Sequence, residues 1–176
     1  MALLEIKHLK TFFTTKRGIV KAVNDASYSV EPGETLGVVG ESGSGKSVSA
    51  LSVLHLLDGN GWIEDGQIIF NGRDITHLPL REMYKVRGNA ISMIFQEPMT
   101  SLNPVFSVEQ QVGESFMLHQ NMGKKEARER VVDMLADVKI PNPQIVAKQY
   151  PHQLSGGMRQ RVMIAMALAC QPQLLI

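Results

Sequence analysis

Gly40-Glu41-Ser42-Gly43-Ser44-Gly45-Lys46-Ser47 is a glycine loop of the pattern G-x-x-x-x-G-K-S. The apolar run Leu36-Gly37-Val38-Val39 precedes it, and Val48, Leu51 and Leu54 follow on one helical face. A run without polar alternation predicts a buried strand of a parallel sheet, and the spacing after the loop predicts a helix over 47–57. Strand, glycine loop and helix form the setting in which such a loop cradles phosphates. Glycines 40, 43 and 45 allow the backbone to turn N–H groups inward between Glu41, Ser42 and Ser44, and the helix adds its positive N-terminal end. Lys46 is then placed to reach β- and γ-phosphates and the Ser47 hydroxyl to ligate Mg²⁺, so ATP with Mg²⁺ is the expected ligand. The dinucleotide pattern G-x-G-x-x-G fits less well. Gly43-Ser44-Gly45 is followed by Lys46-Ser47-Val48, so the third glycine is missing.

Outward from the loop, strands are expected over 3–9 and 20–30, a turn at Pro32-Gly33, and a strand over 67–70 running into the tight turn Asn71-Gly72. Residues 90–95 read as another apolar strand, ending at Gln96. Beyond it the texture changes. Pro98 and Pro104 bracket a loop, 125–138 carries Val131, Met134, Leu135 and Val138 on one helical face, and Pro141, Pro143 and Pro151 break the chain. These features predict one domain over 1–176, with an α/β core at about 1–96 and 158–176 and an inserted helical lobe at about 97–157. A second glycine turn, Leu154-Ser155-Gly156-Gly157-Met158-Arg159-Gln160-Arg161, opens a helix expected over 158–170. It offers one hydroxyl and adjacent amides but no lysine and no Mg²⁺ ligand, so by its residues it is either an ordinary Ser-Gly helix cap or an anion site that cannot bind ATP unaided.

Composition narrows the classes. The 176 residues carry 18 Lys plus Arg against 17 Asp plus Glu, a formal net charge of +1, which argues against nucleic acid as a partner. The single Cys170 excludes an intrachain disulfide framework, and its apolar neighbourhood predicts a buried, unreactive thiol. No run approaches the ~20 apolar residues of a membrane span, and no export signal is visible, so a soluble intracellular chain is expected. Histidines 8, 55, 77, 119 and 152 lack metal-ligand spacing, and the mixed-charge run 124–130 reads as a solvated helix face.

The glycine loop and the Leu154–Arg161 turn, in this order and at this separation, resemble the ATPase subunits of ABC transporters. The resemblance implies an α/β P-loop NTPase (ABC ATPase) core with an inserted helical subdomain. It implies further that Ser155, Gly156 and Gly157 close in trans on the nucleotide held by a second ABC ATPase subunit. It makes Gln96 the Q-loop glutamine that contacts Mg²⁺ and positions water, and Phe13 the aromatic that stacks on adenine, with neighbouring Phe12 a competing choice. The stretches Ile94-Phe95-Gln96-Glu97-Pro98-Met99-Thr100-Ser101-Leu102-Asn103-Pro104 and Tyr150 to Arg161 look like those of dipeptide and oligopeptide importers, phrases shared with nickel and glutathione importers. The implied partners are transmembrane permease subunits and, indirectly, an extracytoplasmic substrate-binding protein, with the ATPase peripheral on the cytoplasmic face of the membrane. Residues 97–105 are expected to dock the permease, with Met99 and Leu102 as apolar anchors.

The family's Walker B carboxylates, D-loop and switch histidine have no counterpart up to Ile176. The chain is therefore expected to be C-terminally incomplete and, as given, not to hydrolyse ATP. The alternative is a short non-hydrolysing nucleotide-binding or interaction module.

Overall fold

A computed structural model describes residues 1–96 and 101–176. The chain separates into two compact units, Met1–Met83 and Tyr84–Ile176.

The first unit is built on a long hairpin. Strands β1 (Leu4–Thr15) and β2 (Gly18–Val30) pair antiparallel, and β3 (Gly61–Phe70) and β4 (Arg73–Asp74) extend the sheet in the order β2-β1-β3-β4. The β1–β2 register shifts between Ile6 and Leu9, where His8 adopts φ +51°, with Asp25 on β2 at φ +70°. Helix α1 (Lys46–Val53) packs on β1 and β2. The buried residues of this unit include Leu4, Ile6, Leu9, Val23, Val53, Ile68 and Ile75. At the β3–β4 turn both Asn71 (φ +49°) and Gly72 (φ +73°) are left-handed, the geometry that a two-residue hairpin turn demands. Helix α2 (Leu80–Val86) spans the boundary between the units.

The predicted strand over 36–39 does not form. These residues join no ladder among the described residues, and Val38 and Val39 are 52% and 92% exposed. The physical reason is that an apolar run becomes a strand only where a neighbour accepts its backbone hydrogen bonds, and none pairs with it here. Helix α1 is likewise shorter than the expected 47–57.

In the second unit β5 (Ile91–Ser92) pairs in parallel with β6 (Leu174–Leu175), a shorter strand than the expected 90–95. The pairing continues as hydrogen bonds from Ile176 N to Ser92 O (2.9 Å) and from Ile94 N to Ile176 O (2.8 Å). The helices are α3 (Val108–Gln120), α4 (Lys124–Asp137), the short α5 (Pro143–Val146) and α6 (Gly156–Leu168), with a 3₁₀ turn at Pro151–Gln153. Helix α3 starts on a capping box, Ser107 and Gln110 bonding each other's backbone, and ends at left-handed Asn121. Helix α4 buries Ala127, Val131, Met134 and Leu135, the face predicted from their spacing. One apolar core unites Leu102, Val108, Val112, Phe116, Val131, Leu135, Leu154 and Val162. At ~1.5–3 kcal/mol for each fully buried large aliphatic or aromatic side chain, this core dominates the lobe's stability. No helix among the described residues is long and apolar enough to cross a membrane.

Candidate functional site

The glycine loop takes its shape from Gly43 (φ +80°) and Gly45 (φ +90°), both left-handed. At Gly45 an added Cβ would lie 2.4 Å from the Ala22 carbonyl oxygen, so both the dihedral and the neighbouring strand exclude a side chain. Gly45 is also the N-cap of α1, and no side chain caps that helix. The first-turn N–H groups of a helix have no intrahelical acceptor, so here they suit an external anion. The Lys46 ammonium turns back over the loop and donates to Gly40 O (2.6 Å), Glu41 O (2.7 Å) and Ser44 Oγ (3.3 Å). Ser47 lies exposed on the first turn of α1. An uncapped helix start, one ammonium and one accessible hydroxyl on a single exposed loop form a donor set that fits a phosphate chain with its divalent cation.

Hydroxyls join the buried Val53 in seating α1 on the sheet. Thr11 Oγ1 and Ser52 Oγ, both fully buried, lie 2.9 Å apart, and Ser52 Oγ donates to Val48 O (2.7 Å). Tyr28 OH reaches Ser49 Oγ at 2.5 Å, and Ser49 N donates to Gly45 O (2.8 Å). Burial pushes the Tyr28 hydroxyl above its ordinary pKa, so it remains a neutral hydrogen-bonding partner. Phe13 is half-buried with its ring over Gly61, where a Cβ would come within 2.5 Å of the ring. Phe12 is buried edge-on to Trp62, at 6.3 Å between centroids, with the Lys21 ammonium 5.6 Å from the ring centroid. Phe12 is thus committed to packing, whereas Phe13 stays partly exposed.

In the second unit Gln96 is exposed four residues beyond β5. Ser155 is the N-cap of α6 and its hydroxyl accepts from Met158 N (3.3 Å). The helix begins at Gly156, earlier than the predicted 158, and Gly156 and Gly157 are exposed with nothing within 4 Å of an added Cβ. The two arginines that follow both bond backbone carbonyls. Arg159 Nε donates to Leu154 O (3.1 Å), and Arg161 donates to Val138 O (3.0 Å) and Lys139 O (2.8 Å) just beyond α4. Of the expected docking anchors, Met99 lies outside the described residues. Leu102 is corrected: at 3% exposure it belongs to the lobe core, because its side chain packs beneath the start of α3 rather than outward.

The family model described as "ABC transporter" matches residues 23–176. The chain belongs to the ABC transporter family. It is 57% identical over 175 residues to the oligopeptide transport ATP-binding protein OppD of Escherichia coli (strain K12), covering 99% of this chain and 52% of that protein. It is 49% identical over 174 residues to the dipeptide transport ATP-binding protein DppD of Bacillus subtilis (strain 168), covering 98% and 52%. Among solved structures, the ATP-binding cassette MJ0796, in a dimeric post-hydrolysis state bound to ADP and Pi, is similar with a TM-score of 0.85 at 26% identity, over 98% of this chain and 72% of that one. This ABC transporter chain spans about half the length of the curated relatives it matches.

Sequence reasoning passed over Tyr28, Ser49, Gln111 and Arg161, whose side chains tie α1 to β2, the loop at 103–106 to α3, and α6 to the end of α4. The one signal for Gln111 is a glutamine next to Val112 on a helix face that is otherwise apolar.

Proposed function

We propose that this chain is the nucleotide-binding portion of the ATPase subunit of a di- or oligopeptide importer. The observation that carries the proposal is the loop at 40–47: two left-handed glycines, an uncapped helix start and the Lys46 ammonium converge on one exposed surface. In this reading the backbone of residues 40–47 and Lys46 hold the phosphates of ATP. Ser47 and Gln96 serve Mg²⁺, and Phe13, partly exposed, stacks on adenine. Bound Mg²⁺ supplies charge neutralisation at the β- and γ-phosphates. Ser155, Gly156 and Gly157 present a helix N-terminus to the nucleotide of a second subunit, which gives the turn its use without a lysine of its own. The helices of 97–157 form the lobe inserted into a core of about 1–96 and 158–176.

The names of the relatives support the peptide-import reading, and with it permease subunits as partners, a binding protein acting through them, and a place on the cytoplasmic membrane face. With Leu102 buried, the exposed apolar pair Val105 (69%) and Phe106 (47%) replaces it as the permease-facing patch.

Two measurements on the full-length protein test the reading. Lys46→Ala should weaken ATP binding by about tenfold or more, the loss of one charge-assisted contact. Ser155→Arg should leave binding within about twofold yet abolish ATP-dependent dimerisation, since binding and closure use different residues. Unchanged binding in Lys46→Ala refutes the phosphate cradle, and a persistent ATP-dependent dimer in Ser155→Arg refutes closure through that turn.

A further inference from the structure

We infer that Gln111 is a positioning residue, the fastening of a hydrogen-bonded strut that joins the loop at 103–106 to the Ser155 turn inside the second unit. Its side chain is 8% exposed in a core that is otherwise apolar, and every polar group of the amide is used. Gln111 Nε2 donates to Asn103 O (2.9 Å) and to Phe106 O (2.9 Å), while Gln111 Oε1 accepts from Asn103 N (2.9 Å). One buried side chain therefore clamps the loop 103–106 onto α3, beside the buried anchor Leu102.

The clamp leads directly into a second set of bonds. The first three N–H groups of α3 have no intrahelical acceptors. Val108 N donates to Gln149 O (2.9 Å), Glu109 N to Ala147 O (2.7 Å), and Gln110 N to Ser107 Oγ (3.4 Å). The start of α3 is thus bolted to residues that precede the Ser155 turn. From there Tyr150 N donates to Gln153 Oε1 (2.8 Å), Leu154 N to Pro151 O (3.1 Å), and Leu154 is buried in the same core as Val108 and Val112. Ser155 follows at once. A displacement of the loop at 103–106 cannot be absorbed by α3 without breaking bonds to the buried Gln111 amide and leaving that amide without its partners. The strut therefore carries such a displacement to Ser155.

The inference rests on the proposed roles of Gln96 and Ser155, and its test separates the two. Gln111→Met keeps the volume but cannot bond, and Gln111→Glu keeps the acceptor but loses both donors. Amide hydrogen exchange is measured on the full-length protein without nucleotide and with Mg-ATP, together with the ATP Kd and the kcat for ATP hydrolysis. Val131→Ala, which loosens the same core away from the clamp, is the control. Both Gln111 variants should speed exchange at 150–155 as well as at 103–109 without nucleotide. They should retain the ATP Kd within about twofold, lose the ATP-induced protection at 155–158, and lower kcat about tenfold, a typical coupling between sites. Val131→Ala should leave kcat within about twofold. Unchanged exchange at 150–155 in the Gln111 variants, or an equal fall of kcat in Val131→Ala, overturns the inference. If the wild type itself shows no ATP-induced protection at 155–158, the proposed closure fails. The nucleotide-free exchange at 150–155 then decides the strut alone.

Discussion

At Gly45 two independent requirements coincide: a φ of +90° and a carbonyl oxygen 2.4 Å from where Cβ would stand. Alanine there costs ~1 kcal/mol for the dihedral, and the contact is with strand backbone, which cannot rotate away. Gly45→Ala should therefore move the start of α1 and with it Lys46. The expected outcome is loss of ATP binding in a titration, with a lowered melting temperature; wild-type affinity would mean that the loop tolerates the shift. Cys170 illustrates the opposite case, a residue whose environment silences it. Burial raises its thiol pKa, and Sγ lies 3.5 Å from Ser115 O. The unfolded thiol ionises first as pH rises, so any stability linked to Cys170 is complete below the ordinary thiol pKa of ~8.5 and declines above it. Alkylation at pH 8 should be much slower in the native chain than in urea, and equal rates would show that the thiol is accessible.

At the scale of elements, the sheet of the first unit is closed by an aspartate–threonine turn. Thr76 Oγ1 accepts from Ile68 N (2.7 Å) and donates to Asp74 Oδ1 (2.5 Å), which also accepts from Thr76 N (2.8 Å). The Thr76 hydroxyl, followed by its backbone N–H, holds the Asp74 carboxyl below the ordinary aspartate pKa. The unfolded state takes up its proton first as pH falls, so the contribution is present above about pH 4 and lost as the pH drops through the lowered native value. Thr76→Val strands the N–H of fully buried Ile68 and should cost ~1–3 kcal/mol at pH 7 in urea unfolding, with a smaller gap from wild type at pH 3. A gap that does not narrow would remove Asp74 from the explanation. Helix α6 is fastened in a comparable way, its Arg161 supplying donors to Val138 O and Lys139 O where α4 has run out of its own. A cation near the end of α4 thus satisfies carbonyls that have no other intrahelical donor.

For the molecule as a whole, the two units differ in how they are held. Tyr84–Ile176 has one apolar core of helices, whereas in Met1–Met83 a hairpin sheet carries a helix through serine, threonine and tyrosine hydroxyls as well as through buried apolar residues such as Val53. The residues before the phosphate loop stay exposed, with Leu36, Val38 and Val39 at 39%, 52% and 92%. Apolar surface of that kind recruits other apolar groups. The 176-residue chain should bind an anilinonaphthalene dye, and Val39→Lys should reduce the signal; an unaltered signal would place the dye site elsewhere.

The features read correctly from residue order are those whose cause is local. Glycine alone tolerates the dihedrals at 43 and 45, Asn71-Gly72 suits a turn with both residues left-handed, and the spacing of Val131, Met134 and Leu135 puts them on one face of α4. Family membership was legible for the same reason, since the two glycine turns are short contiguous patterns. What residue order could not show depends on partners distant in the chain. Thr11 meets Ser52 across 41 positions and Tyr28 meets Ser49 across 21, and no periodicity announces either hydroxyl pair. Leu102 reads as an exposed anchor until it is found in one core with Val108, Val112 and Val162, and Gln111 carries no local sign of the bonds its amide makes to Asn103 and Phe106. The run 36–39 has every local mark of a strand, yet a strand exists only when another segment takes its hydrogen bonds, and that is a property of the assembled chain.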